Sequence, residues 1–169
     1  MIDGVRASPA VAPDETGWRI GGRKAWLWAF AGENVTVYLI ARGRGYEQAA
    51  EVLGEDFGGV LERDGWAPYR QVTAAKHQTC HAHLLTRTGE LIAASVAGQA
   101  RVPHAARRIL KDALALRDQQ DVIDADEFGL KVSDLNERTD KLLEMRPTHE
   151  PNRRCSGTCA TSASTCSRS

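Results

Sequence analysis

An excess of charge of either sign is missing from this 169-residue chain: 22 Lys and Arg balance 22 Asp and Glu, and the formal net charge is zero. Without excess positive charge there is no bulk attraction to nucleic acid, so any basic surface has to be local. Long apolar runs are missing too. Nowhere do about 18 uninterrupted apolar residues occur, and the opening MIDGVRASPAVAP lacks the basic-then-apolar order of a secretory leader. No membrane partner is expected, and the location is expected to be cytoplasmic. Cysteine is scarce where a fold would need it. Cys80 stands alone in the body of the chain while Cys155, Cys159 and Cys166 crowd into its end, which excludes a disulfide framework.

What the chain has is 42% hydrophobic residues, enough for a real core at this length. A short strand is expected around residues 9–13. RKAWLWAFAG then alternates Ala25, Leu27 and Ala29 with Trp26, Trp28 and Phe30, apolar on both faces, which suits the middle of a sheet. The turn GEN and the β-branched run VTVYLIA make the next strand its hairpin partner. GYEQAAEVLG changes to helical spacing and stops on Gly54; GGVLERDGW returns to a strand; HQTCHAHLL reads as a fifth strand running into a helix. From Pro103 to Met145 two helices are expected around the polar break RDQQDVIDADE. Phe128, Val132, Leu135, Thr139 and Leu142 form the seam of the second. The order predicts a mixed sheet with helices packed against it, an α/β fold.

Two strand ends carry acids: Asp14 with Glu15, and Glu62 with Asp64. Asp-Glu-Thr-Gly is good turn chemistry, and a solvated turn explains such residues as well as a site does. If the two strands are neighbours, however, Asp14 and Asp64 meet, and their repulsion is relieved by a hard divalent cation bound through oxygen. That is the core of a two-metal phosphoryl-transfer site.

PDETGWRIGGRKAWLWAFAGENVTVYLI, GVLERDGWAPY and HQTCHAHLLTRTGEL together resemble the catalytic core of the bacterial insertion-sequence 66 transposases, a family of the Asp-Asp-Glu class, over nearly the whole chain up to about Arg154. The resemblance implies a ribonuclease-H-like fold with Asp14 and Asp64 as the first two catalytic carboxylates and metal ligands, and Glu15 as a neighbour turned away. It implies Mg2+ or Mn2+ as cofactor, DNA (element ends and target) as partner, cleavage followed by strand transfer as activity, and room for a homo-oligomer. CHAH, residues 80–83, sits where the family carries a Cys and His pair, making Cys80 and His83 candidate neighbours of the site along with Trp66. Zinc is not expected there, because a second ligand pair at finger spacing is missing. His77 and His81 are expected at the surface, Trp26 and Trp28 in the sheet, and Trp18 beside the acids.

Arg19, Arg23, Lys24, Arg42 and Arg44 are the candidate DNA contacts, and Arg101, Arg107, Arg108 and Lys111 form a further basic group; each fits a phosphate contact or a solvated face equally well. The family's third carboxylate lies beyond residue 169, and Asp112, Glu137, Glu144 and Glu150 match no such motif. The end RCSGTCATSASTCSRS has no Leu, Ile or Val and is half Ser or Thr, so it is expected to be disordered. A GC-rich back-translation with one inserted base reads as an amphipathic helix, so a frameshifted, C-terminally truncated product is expected. The expected organisation is an incomplete ribonuclease-H-like core over 1–100, a helical hairpin insertion over 101–147 and an out-of-frame tail over 148–169. Such a chain is expected to be inactive alone; the alternative is a non-enzymatic remnant that binds DNA or full-length transposase.

Overall fold

A computed structural model describes residues 1–96 and 98–145, together with Cys155. The chain divides into two compact units, one spanning Met1–Cys80 and the other beginning at His81. The expected out-of-frame tail lies, Cys155 apart, outside the described residues, as do Cys159, Cys166 and Glu150.

The first unit opens with a short helix, α1 (Ile2–Arg6), which the sequence pattern had not suggested. Strand β1 (Ala10–Ile20) follows and runs far past residue 13. Asp14 to Gly17 are therefore not a turn. The turn comes at Gly21 and Gly22, both at positive φ (54° and 77°), a conformation glycine reaches without the Cβ penalty that other residues meet. Two positive-φ residues in a two-residue loop match the twist of a hairpin, so β2 (Arg23–Ala31) returns antiparallel to β1 over its full length. β3 (Thr36–Ala41) pairs antiparallel with β2. Helix α2 (Tyr46–Leu53) is capped by the Gln48 side chain, whose Oε1 accepts from the Gly45 N–H at 2.8 Å, and ends at Gly54 (φ 79°). β4 (Val60–Arg63) and β5 (Lys76–Thr79) complete a five-stranded mixed sheet of order β3-β2-β1-β4-β5, with β4 parallel to both β1 and β5. A 3-10 turn over Ala67–Gln71 joins the last two strands.

Register sorts the side chains into two faces. Val11 pairs with Leu61, Pro13 with Phe30 and Glu15 with Trp28, and these fall on one face with Val37, Leu39 and Ala41. That face is the core: Val11, Trp28, Phe30 and Leu61 pack with Val5 of α1, Ala49, Val52 and Leu53 of α2, and Phe57, Tyr69 and Val72. Trp28 stacks on Phe30 and meets Tyr69 edge-on. Trp28 is fully buried and Trp26 half-buried, as alternation implied. The other face carries Asp14, Thr16, Trp18 and Ile20 of β1 with Tyr38 and Ile40 of β3. Trp18 (47% exposed) and Tyr38 (68%) leave it open to solvent.

In the second unit, α3 (His81–Ala93) packs on α4 (Arg101–Arg117), and α4 on α5 (Ala125–Glu144). Asp124 caps α5, its Oδ1 accepting from the N–H groups of Asp126 and Glu127. Leu91, Val102, Ala106, Leu142 and Cys155 form this unit's own buried cluster. The seam from Phe128 to Leu142 lies on the less exposed face of α5, though only Leu142 is fully buried. Among the described residues, no helix is long and apolar enough to cross a membrane.

Candidate functional site

Partners on β1 and β4 differ by 50 in number (Ala10 with Val60, Val11 with Leu61), as Asp14 and Asp64 do. Residues level with each other on neighbouring parallel strands share a face, and the offset of 50 that pairs the two strands is also the offset between the two acids. The recorded pairs stop at Val11 and Leu61, before the carboxylates. Both Asp64 and Asp14 add their charge to the electrostatic surroundings of the Tyr69 hydroxyl. Burial raises the Tyr69 phenol well above its ordinary value, and the hydrogen bond and charge of Glu15 add to this before the two aspartates do.

Each aspartate has one oxygen held by the backbone. Asp14 Oδ1 accepts from the Glu15 N–H at 3.0 Å, and Asp64 Oδ1 accepts from the Trp66 N–H at 2.8 Å, a local turn that bends the chain out of β4. Neither Oδ2 makes a hydrogen bond among the described residues. Asp14 is exposed and Asp64 half-exposed, which leaves two carboxylate oxygens available to a cation.

Glu15 faces the other way. Its side chain is only 2% exposed; Oε1 takes a bidentate contact from Arg44 (Nε at 2.9 Å, Nη2 at 2.6 Å) and Oε2 accepts from the Tyr69 hydroxyl at 2.5 Å. Arg44 lies over the rings of Trp26 (4.6 Å) and Trp66 (3.9 Å). A residue expected as a DNA contact is thus engaged with a buried carboxylate and two indoles. Sequence reading missed this cluster because 29 residues separate Glu15 from Arg44 and 54 separate it from Tyr69. The only local hint was strand parity, which turns Glu15 away from Asp14.

Below Asp64, Arg63 is 5% exposed. Its Nη1 donates to the Asp64 carbonyl at 2.8 Å and its Nε to His77 Nδ1 at 2.9 Å, while His77 Nε2 contacts the Val72 carbonyl at 3.0 Å. These partners assign the neutral tautomer with its proton on Nε2. Burial, then the Arg63 charge, lowers the His77 pKa, with the Val72 hydrogen bond opposing. His77 is therefore a half-buried strut and not the surface residue its polarity suggested. His81 is half-buried as well.

The other candidates divide between the two units. Thr79 is level with Arg63, so the next residues, Cys80 and Asp64, follow each other across the edge of the sheet, and the Cys80 N–H donates to the Arg63 carbonyl at 2.8 Å. His83 belongs to α3 in the second unit and is exposed. Trp66 is half-buried, its indole nitrogen enclosed and, among the described residues, without a hydrogen-bond partner. Among the described residues, no three His, Cys, Asp or Glu side chains gather as a metal cage. Arg19, Arg23 and Lys24 surround the exposed tip of the β1–β2 hairpin, where Arg19 Nη1 donates to the Gly22 carbonyl and Lys24 lies over Trp26. Arg42 sits just past β3. In the second unit, Arg107 Nη1 donates to the Leu85 carbonyl.

No curated protein and no solved structure matches the chain. The family model described as "Transposase IS66 family" matches residues 1–116, which takes in the whole sheet, both aspartates and the helices through most of α4. With more than half of its length matched, the chain belongs to the IS66 transposase family.

Proposed function

We propose that the first unit carries part of a phosphoryl-transfer site acting on DNA, with Asp14 and Asp64 as its two carboxylate ligands for Mg2+ or Mn2+. The observation that carries this reading is that β1 and β4 pair in parallel with the same offset of 50 residues that separates Asp14 from Asp64, one strand leading to each acid. Membership of a transposase family supports it. So does the five-stranded mixed sheet of an α/β unit, which accommodates the ribonuclease-H-like fold that the resemblance implies. Two carboxylates fit a magnesium-type cation, which takes one or two from protein and completes its shell with water and substrate phosphate. Held there, such a cation supplies Lewis-acid stabilisation of charge on the transferring phosphate. The protein's own part is to present two oxygens at a fixed spacing and to hold the duplex. Arg19, Arg23 and Lys24 on the hairpin tip are placed to contact phosphates, which carry most sequence-independent affinity.

The exposed basic tip formed by Arg19, Arg23 and Lys24 also supports a second reading for the chain on its own, in which it binds DNA and does not cut it. The experiment is a Mn2+ titration of the purified protein with and without duplex DNA, run beside a supercoiled-plasmid nicking assay. Mn2+ binding that tightens with DNA and disappears in Asp14→Asn and Asp64→Asn is expected; binding indifferent to both substitutions overturns the site. Plasmid relaxation abolished by Asp64→Ala would show that the chain cuts alone, and a salt-sensitive DNA complex without relaxation would establish the second reading.

A further inference from the structure

We propose that Arg44 is a positioning residue that fixes the spacing of Asp14 and Asp64, by clamping the residue after the first acid to the loop after the second. Glu15 follows Asp14 on β1; Trp66 and Tyr69 lie just beyond Asp64. Arg44 grips Glu15 through two nitrogens and stacks under Trp66 at 3.9 Å, while Tyr69 binds the other oxygen of Glu15. A planar, bidentate, stacking guanidinium performs both tasks at once, and an ammonium cannot. The Asp64 carboxylate is tied into the same assembly, because its Oδ1 accepts the N–H of Trp66.

Two features indicate that the clamp carries a constraint beyond packing. The paired β1–β4 residues end at Val11 and Leu61, so sheet hydrogen bonding does not itself hold the strands together at the acids. Among the described residues the Trp66 indole N–H is buried without a partner, a desolvation cost that a surface orientation would avoid. The ring stays where it stacks on Arg44.

This inference rests on the reading that Asp14 and Asp64 hold a divalent cation, and its test separates the two. Mn2+ affinity and thermal stability of the full chain are measured for Asp14→Asn, Asp64→Asn, Arg44→Lys and the double substitution Glu15→Gln/Arg44→Gln. The double substitution leaves no unpaired buried charge, so it keeps the fold where a single loss would not. Loss of binding in both aspartate variants, with a ten- to hundredfold weaker Mn2+ affinity in folded Arg44→Lys and in the double variant, is the expected result. Unchanged affinity in those two, whatever their melting temperatures, overturns the positioning role and leaves the cation site standing. Binding untouched by the aspartate substitutions removes the cation site, and the inference with it.

Discussion

Asp14 and Glu15 are chemically near-identical neighbours with opposite fates, and the pleat of one strand separates them. One is exposed beside open solvent; the other is enclosed by Arg44 and Tyr69. At the same scale His77 illustrates how a polar residue becomes structural: neutral, it accepts from one buried cation and donates to one carbonyl. Its folded pKa lies below its ordinary value of 6.5, so the unfolded chain takes up the proton first as pH falls. Stability is therefore unaffected by this group above about pH 6.5, declines as pH drops below that, and levels off under the folded pKa. Urea midpoints between pH 7.5 and pH 5 are expected to fall more steeply for the native sequence than for His77→Asn. Parallel slopes would rule out this role.

Elements translate such contacts into alignment. β4 enters the sheet through Gly59, where an added Cβ would come within 2.9 Å of the Pro9 carbonyl oxygen and 3.0 Å of the Ser8 carbonyl oxygen. Backbone cannot yield as a flexible side chain can, so Gly59→Ala is expected to cost about 1–3 kcal/mol in denaturant unfolding. Because that close approach seats β4 against β1, the substitution is also expected to weaken Mn2+ binding; a variant with native stability and affinity would show that the strands find their register without it. The β1–β2 hairpin makes the second prediction at this scale. Replacing Arg19, Arg23 and Lys24 by Ala is expected to reduce the salt dependence of duplex binding by about 0.9 in log-log slope for each phosphate that is no longer neutralised, with little effect on stability. An unchanged slope would place the DNA elsewhere.

For the whole molecule, the division after Cys80 separates two cores with no shared member. All four tryptophans, at 18, 26, 28 and 66, lie in the first unit, whereas the three longest of the described helices lie in the second. Indole fluorescence and helical circular dichroism therefore report on different units. Leu142→Ala removes a buried side chain from the second core, a destabilisation of about 2–5 kcal/mol. The dichroism transition is expected to move to lower temperature while the fluorescence transition stays. Coincident shifts would mean that the chain unfolds as one cooperative body.

Alternation and spacing determined the β2–β3 hairpin, the α2 stop at Gly54, the strand-to-helix passage at residues 76–93 and the seam of α5, because each is written in neighbours a few residues apart. The quoted blocks carried the family resemblance. Local pattern could not show that β1 continues through Asp14 to the glycine turn, since Asp-Glu-Thr-Gly is equally good turn chemistry until β2 pairs with it. Only tertiary structure decided that Glu15, Arg44, Trp66 and Tyr69 meet, or that His77 is a strut. Those interactions join residues far apart along the chain, and their energy comes from burial and complementary charge that exist only once the sheet has closed over them.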